Sequence, residues 1–155
     1  MKIIFLIFFL SSTILMANED SLTYSKRDSL VGYAKSFLET PYVWGGTSPK
    51  GFDCSGFLYY VFKHFNIKVS RSSSGYNSLG KTIDLESTLP ADILVFTGTN
   101  SSIKKPGHVG MVISNRNGVI KFIHASSSKK HFGVTITTYN NSGYVKRFLK
   151  AITVL

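Results

Sequence analysis

The sequence predicts an α+β fold: N-terminal helices packed on a mostly antiparallel sheet of five to six strands. Three observations predict it. Apolar residues recur at three- and four-residue intervals between Arg27 and Phe65, whereas beyond Pro90 they fall in short runs rich in β-branched and aromatic residues. Helical and strand-like segments are segregated along the chain, which favours α+β over an alternating parallel architecture. A length of 155 residues suits one compact domain with a single core.

The first helix is read from Leu30, Val31, Ala34, Phe37 and Leu38 and ends before Thr40-Pro41. Pro41 to Gly51 carries two prolines and three glycines in eleven residues and is read as an irregular loop. Phe57, Leu58, Tyr60, Val61, Phe62 and Phe65 then form the apolar set of a buried helix, with Cys54 at or just before its N-terminus. Ser70 to Gly75 is polar and begins a short helix or turn. Five strands follow, at Ile93–Phe96, Val109–Ile113, Val119–Ile123, Val134–Thr138 and Tyr144–Val154, separated by Gly, Asn and Ser clusters.

Met1 to Ala17 has one positive charge, an apolar stretch and a small residue before Asn18-Glu19-Asp20, the pattern of a secretory signal peptide. An uncleaved membrane anchor is the alternative, but Ser11-Ser12-Thr13 interrupts a stretch already shorter than the roughly 18 apolar residues a spanning helix needs. The expected organisation is therefore a signal peptide at 1–17 and a single domain at 18–155, exported to the periplasm, the cell wall or the medium as a monomer. Removing 1–17 takes only Lys2 from the 18 basic and 8 acidic side chains, leaving a net charge near +9. A polyanionic partner is implied, and the export signal favours an anionic bacterial envelope over nucleic acid. The basic residues are dispersed, so a generally basic surface explains the charge as well as a binding patch does.

An oxidising compartment and a single cysteine exclude an intramolecular disulfide, so Cys54 persists for another reason. A thiol becomes a strong nucleophile as thiolate, and a helix N-terminus and a nearby histidine both lower its pKa. His108 begins one strand and His124 ends the next. If these strands pair through a turn at Ser114 to Gly118, the histidines become neighbours at one end of the sheet. Cys54, His108 and His124 then form a nucleophile, base and orienter constellation that needs no cofactor. A metal site is the alternative; its ligands are usually closely spaced, and these three lie on separate elements. His64 and His131 have no flanking site pattern and read as surface or core histidines.

Tyr42-Val43-Trp44-Gly45-Gly46, Phe52-Asp53-Cys54-Ser55-Gly56-Phe57, Pro90-Ala91-Asp92-Ile93-Leu94-Val95-Phe96, His108-Val109-Gly110-Met111 and Phe122-Ile123-His124-Ala125-Ser126 resemble, in order and spacing, the NlpC/P60 cysteine peptidases. The resemblance implies a papain-like fold and hydrolysis of amide bonds in peptidoglycan stem peptides, usually the bond joining the γ-carboxyl of D-glutamate to the diamino acid. It implies that Cys54 is the nucleophile, His108 the general base, His124 the orienting third member and Tyr42 an oxyanion donor. Asp53, Ser55, Arg71 and Ser73 match substrate-groove positions, with Arg71 either a carboxylate clamp or a structural ion pair. Trp44 is expected to pack its loop. Three departures stand out: Ser70 replaces a proline, Tyr76 stands where glutamine is common, and Ala91 replaces a glycine. An acyltransferase or amidase using the same Cys-His site, and a non-enzymatic envelope-binding module, are the competing readings.

Overall fold

The computed structural model of the chain describes residues 21–129 and 131–155; the expected signal peptide lies outside them. No helix among the described residues is long and apolar enough to cross a membrane.

Residues 21–35 are helical (α1) and bury Arg27, Leu30, Val31 and Ala34 on one face. The exit is fixed by Glu39 in the left-handed region (φ 69°), with Glu39 N–H donating to the Val134 carbonyl at 2.9 Å and Val134 N–H to the Thr40 carbonyl at 2.8 Å. Pro41 then prevents further helix. The segment expected as irregular loop contains a small ribbon, β1 (Thr47–Ser48) paired with β2 (Gly51–Phe52), and Tyr42 bridges Phe52 in parallel. Helix α2 (Cys54–His64) starts at the N-cap Asp53, whose carboxylate accepts the Gly56 N–H, and buries Phe57, Leu58, Val61 and Phe62. It stops at Asn66 (φ 57°), whose left-handed conformation lets Ile67 N–H reach back to the Phe62 carbonyl.

The sheet is six-stranded and antiparallel throughout, in the order β3 (Lys81–Ile83), β8 (Phe148–Thr153), β4 (Ile93–Thr97), β5 (Pro106–Arg116), β6 (Val119–Ser126), β7 (Gly133–Thr138). The sixth strand, β3, had no sequence signal, being three residues of a mostly exposed edge. Two further details differ from expectation. The β5–β6 turn is only Asn117-Gly118, both at positive φ, because β5 runs on to Arg116, through most of the expected Ser114–Gly118 turn. Tyr144 precedes the last strand and belongs to a loop that leads into the 3₁₀ turn Val145–Arg147.

The sheet buries both faces. Ile93, Val95, Val109, Met111, Ile123 and Ala125 join α1 and α2 in the main core. The alternating residues Leu94, Phe96, Val112 and Phe122 form a second core capped by Tyr139, Tyr144 and Phe148. A buried ion pair pins α1 to the sheet: Arg27 donates to the Asp92 carboxylate at 2.9 Å and to the Pro90 carbonyl at 2.7 Å. Ala91 occupies this turn at φ 72°, which accounts for the family's glycine there; the strained position is clamped by its N–H bond to the Val112 carbonyl.

Candidate active site

Cys54 is held by three contributions that the local sequence dictates. Asp53 caps α2; Gly56 lets the Gly46 carbonyl approach so closely that a Cβ there would collide with it; and the Tyr42–Phe52 bridge draws the preceding loop alongside. The cysteine opens into a cleft of about 390 Å³. It is lined by Tyr42, Trp44, Asp53, Ser55, Arg71 and Ser73 from around α2, and by His108, Ser127, Arg147, Gly98, Thr99 and Gly107 from segments of the sheet. The loop before His108 thus borders the groove.

His108 and His124 project from the second face of the sheet, away from α2, since their chain neighbours Val109, Ile123 and Ala125 face the main core. His108 Nε2 lies 2.9 Å from His124 Nδ1, and His124 Nε2 lies 3.0 Å from Thr137 Oγ1. Gly110 makes this possible: a Cβ there would come within 2.5 Å of the Phe122 ring and 3.2 Å of the His124 Cβ. At the start of β5, Val109 N–H points at the Cys54 sulfur, and Cys54 and His108 line the same cleft.

The electrostatics differ from expectation at the thiol. Burial pushes the Cys54 pKa up, outweighing the N–H groups of Val109, Ser55 and Cys54 that pull it down, and Asp53 raises it further. Burial, His124 and Arg147 hold His108 well below 6.5; burial, Arg147 and His131 lower His124 to about 3. The pair is therefore neutral near pH 7. Tyr42 is pushed up to about 12 by burial, with Cys54 and Asp53 adding to it, so its hydroxyl remains a proton donor.

Arg71 meets Asp53 through both terminal nitrogens, at 2.9 and 3.0 Å, and Ser55 Oγ at 3.3 Å. Of the two roles that the sequence left open for Arg71, the structure shows the ion pair, with Asp53 as its partner. Ser70 replaces the proline's restraint by hydrogen bonds: its hydroxyl donates to the Ser72 carbonyl and accepts the Ser72 N–H. Tyr76 is fully buried with an unpartnered hydroxyl. Trp44 does not pack its loop: it is 88% exposed and rims the cleft. His64 stacks on Tyr33, and His131 lines a neighbouring cavity.

Three residues at the histidines escaped sequence reasoning. Thr137 ends the hydrogen-bond chain. The Tyr144 hydroxyl stands 3.5 Å from both His108 Nε2 and His124 Nδ1, and Arg147 packs its guanidinium 4.8 Å from the Tyr144 ring centre while donating to the Thr97 carbonyl. No motif marks them; only the return of the chain across the second face brings them in.

Residues 39–153 match the family model described as the NlpC/P60 family. The chain is 41% identical over 131 residues to the probable peptidoglycan endopeptidase LytE of Bacillus subtilis, covering 84% of this chain and 34% of that protein. It is 33% identical over 124 residues to a gamma-D-glutamyl-L-lysine dipeptidyl-peptidase of Bacillus cereus, covering 80% and 35%. A crystal structure of an NlpC/P60 family protein from Bacillus cereus aligns with a TM-score of 0.73 at 32% identity, over 83% of this chain and 40% of that one. The chain spans about a third of the length of these two curated relatives. With its α+β architecture and a family match that runs from residue 39 to 153, this chain belongs to the NlpC/P60 family.

Proposed function

We propose that this chain is an exported cysteine endopeptidase that hydrolyses amide bonds in peptidoglycan stem peptides, with the γ-D-glutamyl–diamino acid bond as its target. The observation that carries the reading is the 2.9 Å contact between His124 Nδ1 and Nε2 of His108, which lines the same cleft as Cys54. If His124 Nε2–H donates to Thr137, then His124 Nδ1 must accept from His108 Nε2–H. That tautomer leaves the lone pair on His108 Nδ1 free to act as base.

Because burial disfavours the thiolate and the imidazolium alike, the proton moves as attack begins. Cys54 Sγ bonds to the carbonyl carbon while its proton passes to His108 Nδ1. The oxyanion is held by the Tyr42 hydroxyl and the Cys54 N–H, donors of a kind worth roughly 3 kcal/mol each. Collapse breaks the C–N bond, and His108 returns the proton to the leaving amine. Water, deprotonated by His108, then cleaves the thioester and restores the thiol. Asp53, Ser55, Arg71 and Ser73 shape the acyl-side wall, Asp53 and Arg71 by holding each other. Residues 1–17 serve as a signal peptide and 18–155 as the catalytic domain, whose positive charge suits an anionic envelope.

Digestion of purified sacculi by the full mature chain tests this reading. Wild type releases muropeptides whose masses locate the cut bond, and Cys54→Ala, with an unchanged melting temperature, releases none. Equal release by Cys54→Ala would overturn it.

A further inference from the structure

A groove of about 580 Å³ lies where the end of α1 meets the β5–β6 hairpin, lined by Lys35 from the helix and by Arg116 and Lys121 from the strands. Register makes the two strand cations neighbours. Arg116 pairs with Val119 and Ser114 with Lys121, so these side chains share one face of the sheet. Arg116 and Lys121 then stand on a diagonal, about 7–8 Å apart. Lys121 is two residues from Ile123, which places them on the face that carries α1 and α2. No acidic residue lines the groove, and among the described residues the ion pairs are Arg27–Asp92 and Arg71–Asp53, so none of the three cations is neutralised. Like charges held side by side repel one another, and a bound anion turns that cost into attraction. The groove shares no lining residue with the cleft that holds Cys54, so both can be filled at once.

We propose that this groove is a docking site for an extended polyol-phosphate polymer of the cell envelope, which tethers the protein to the wall while the cleft acts on a stem peptide. Charge complementarity selects an anion, and the mixture of linings selects its kind. The Arg116 guanidinium presents a planar fork that fits a phosphate, and Lys35 and Lys121 supply point charges for the phosphates on either side. Ile113, Val119 and Ile136 line the same groove, with Val119 and Ile136 exposed, and give the carbon units between phosphates an apolar surface. A lone phosphate would leave that surface unused. The proposal takes the exported location from the reading above and none of its chemistry.

Calorimetric titration of the full mature chain with soluble poly(glycerol phosphate), at about 0.15 M salt, tests this. Lys35→Gln, Arg116→Gln and Lys121→Gln together are expected to weaken binding by about tenfold or more. Lys63→Gln, Lys68→Gln and Lys81→Gln remove the same charge from outside the groove and are expected to weaken it less than about threefold. Equal losses in the two triple variants, or no binding by wild type, overturn the proposal. So does tighter binding to poly-L-glutamate or oligothymidylate of matched charge, or to vesicles of equimolar phosphatidylglycerol and phosphatidylcholine. All three groove cations are exposed, so their replacement leaves the fold intact. Lys121→Glu alone, which sets an acid beside Arg116, is expected to act in the same direction. The groove variant is expected to cut soluble stem peptides at the wild-type rate, and a matching loss of that rate would overturn the tethering role. If wild type cuts no stem peptide, the endopeptidase reading fails, and the binding comparison still decides the groove.

Discussion

Asp53 and Arg71 face each other with two oxygens against two nitrogens, at 2.9 and 3.0 Å, directly beside the cysteine. The same carboxylate accepts the N–H of Gly56 at 2.6 Å and of Gly45 at 3.0 Å and the Ser55 hydroxyl at 3.3 Å, so five hydrogen bonds converge on the residue preceding Cys54. An arginine that the sequence offers equally as a substrate clamp thereby fixes the start of α2. Arg71→Met is expected to cost about 1–2 kcal/mol, since the pair is only partly buried. It is also expected to slow alkylation of Cys54 at neutral pH, because the unbalanced Asp53 charge raises the thiol further. Urea melts and iodoacetamide kinetics check both, and an unchanged alkylation rate would show that Arg71 does not act on the thiol.

The thiol itself is the subject of a second prediction. With its pKa above the ordinary 9.0 and His108 well below 6.5, a resting thiolate–imidazolium pair is not formed. Alkylation of wild-type Cys54 should rise with pH through a midpoint above 9.0. A rate plateau extending down to about pH 5, the signature of a preformed ion pair, would refute this.

The buried histidines make the fold acid-sensitive. Their folded pKa values lie below the unfolded value of 6.5, so below that pH the unfolded chain binds more protons. Stability is fully present above 6.5 and is lost as pH falls toward the folded value of about 3 for His124. At about pH 5 a neutral His124 costs about 2 kcal/mol relative to neutral pH, and His108 adds in the same direction. Denaturant melts between about pH 7.5 and pH 5 should show this loss, and His124→Gln should remove about half of it. A flat profile for wild type would mean that the pair protonates in place.

Gly110 offers a test of geometry without touching a reacting group. In Gly110→Ala the new methyl meets the Phe122 ring at 2.5 Å and crowds His124, so the histidine pair must shift. A loss of about 1–3 kcal/mol is expected from overpacking, with kcat falling by more than about tenfold while KM changes little. Full activity in a folded Gly110→Ala would show that the 2.9 Å histidine contact tolerates displacement.

Much was legible in the sequence because local rules generate it. Apolar spacing yields the helices, β-branched runs yield the five long strands, and the apolar set from Phe57 to Phe65 places Cys54 at the start of its helix. The three-residue strand β3 was not legible, since pairing with β8, and not its own composition, makes it a strand. Trp44 shows the limit of residue type as a guide, for a tryptophan in a glycine loop reads as packing until the fold leaves it on the cleft rim.

The sequence by itself determined the fold class, the family blocks and the presence of one cysteine and two histidines able to meet. Tertiary structure alone decided that the histidines sit on the face opposite α2, that Thr137, Tyr144 and Arg147 gather around them, and that Arg71 is spent on Asp53 while Arg147 is not. It also reversed the expected direction of the Cys54 pKa. The physical reason is the same in each case. Helix and strand formation depend on neighbours along the chain, whereas burial and charge pairing depend on distant segments that only the folded chain brings together.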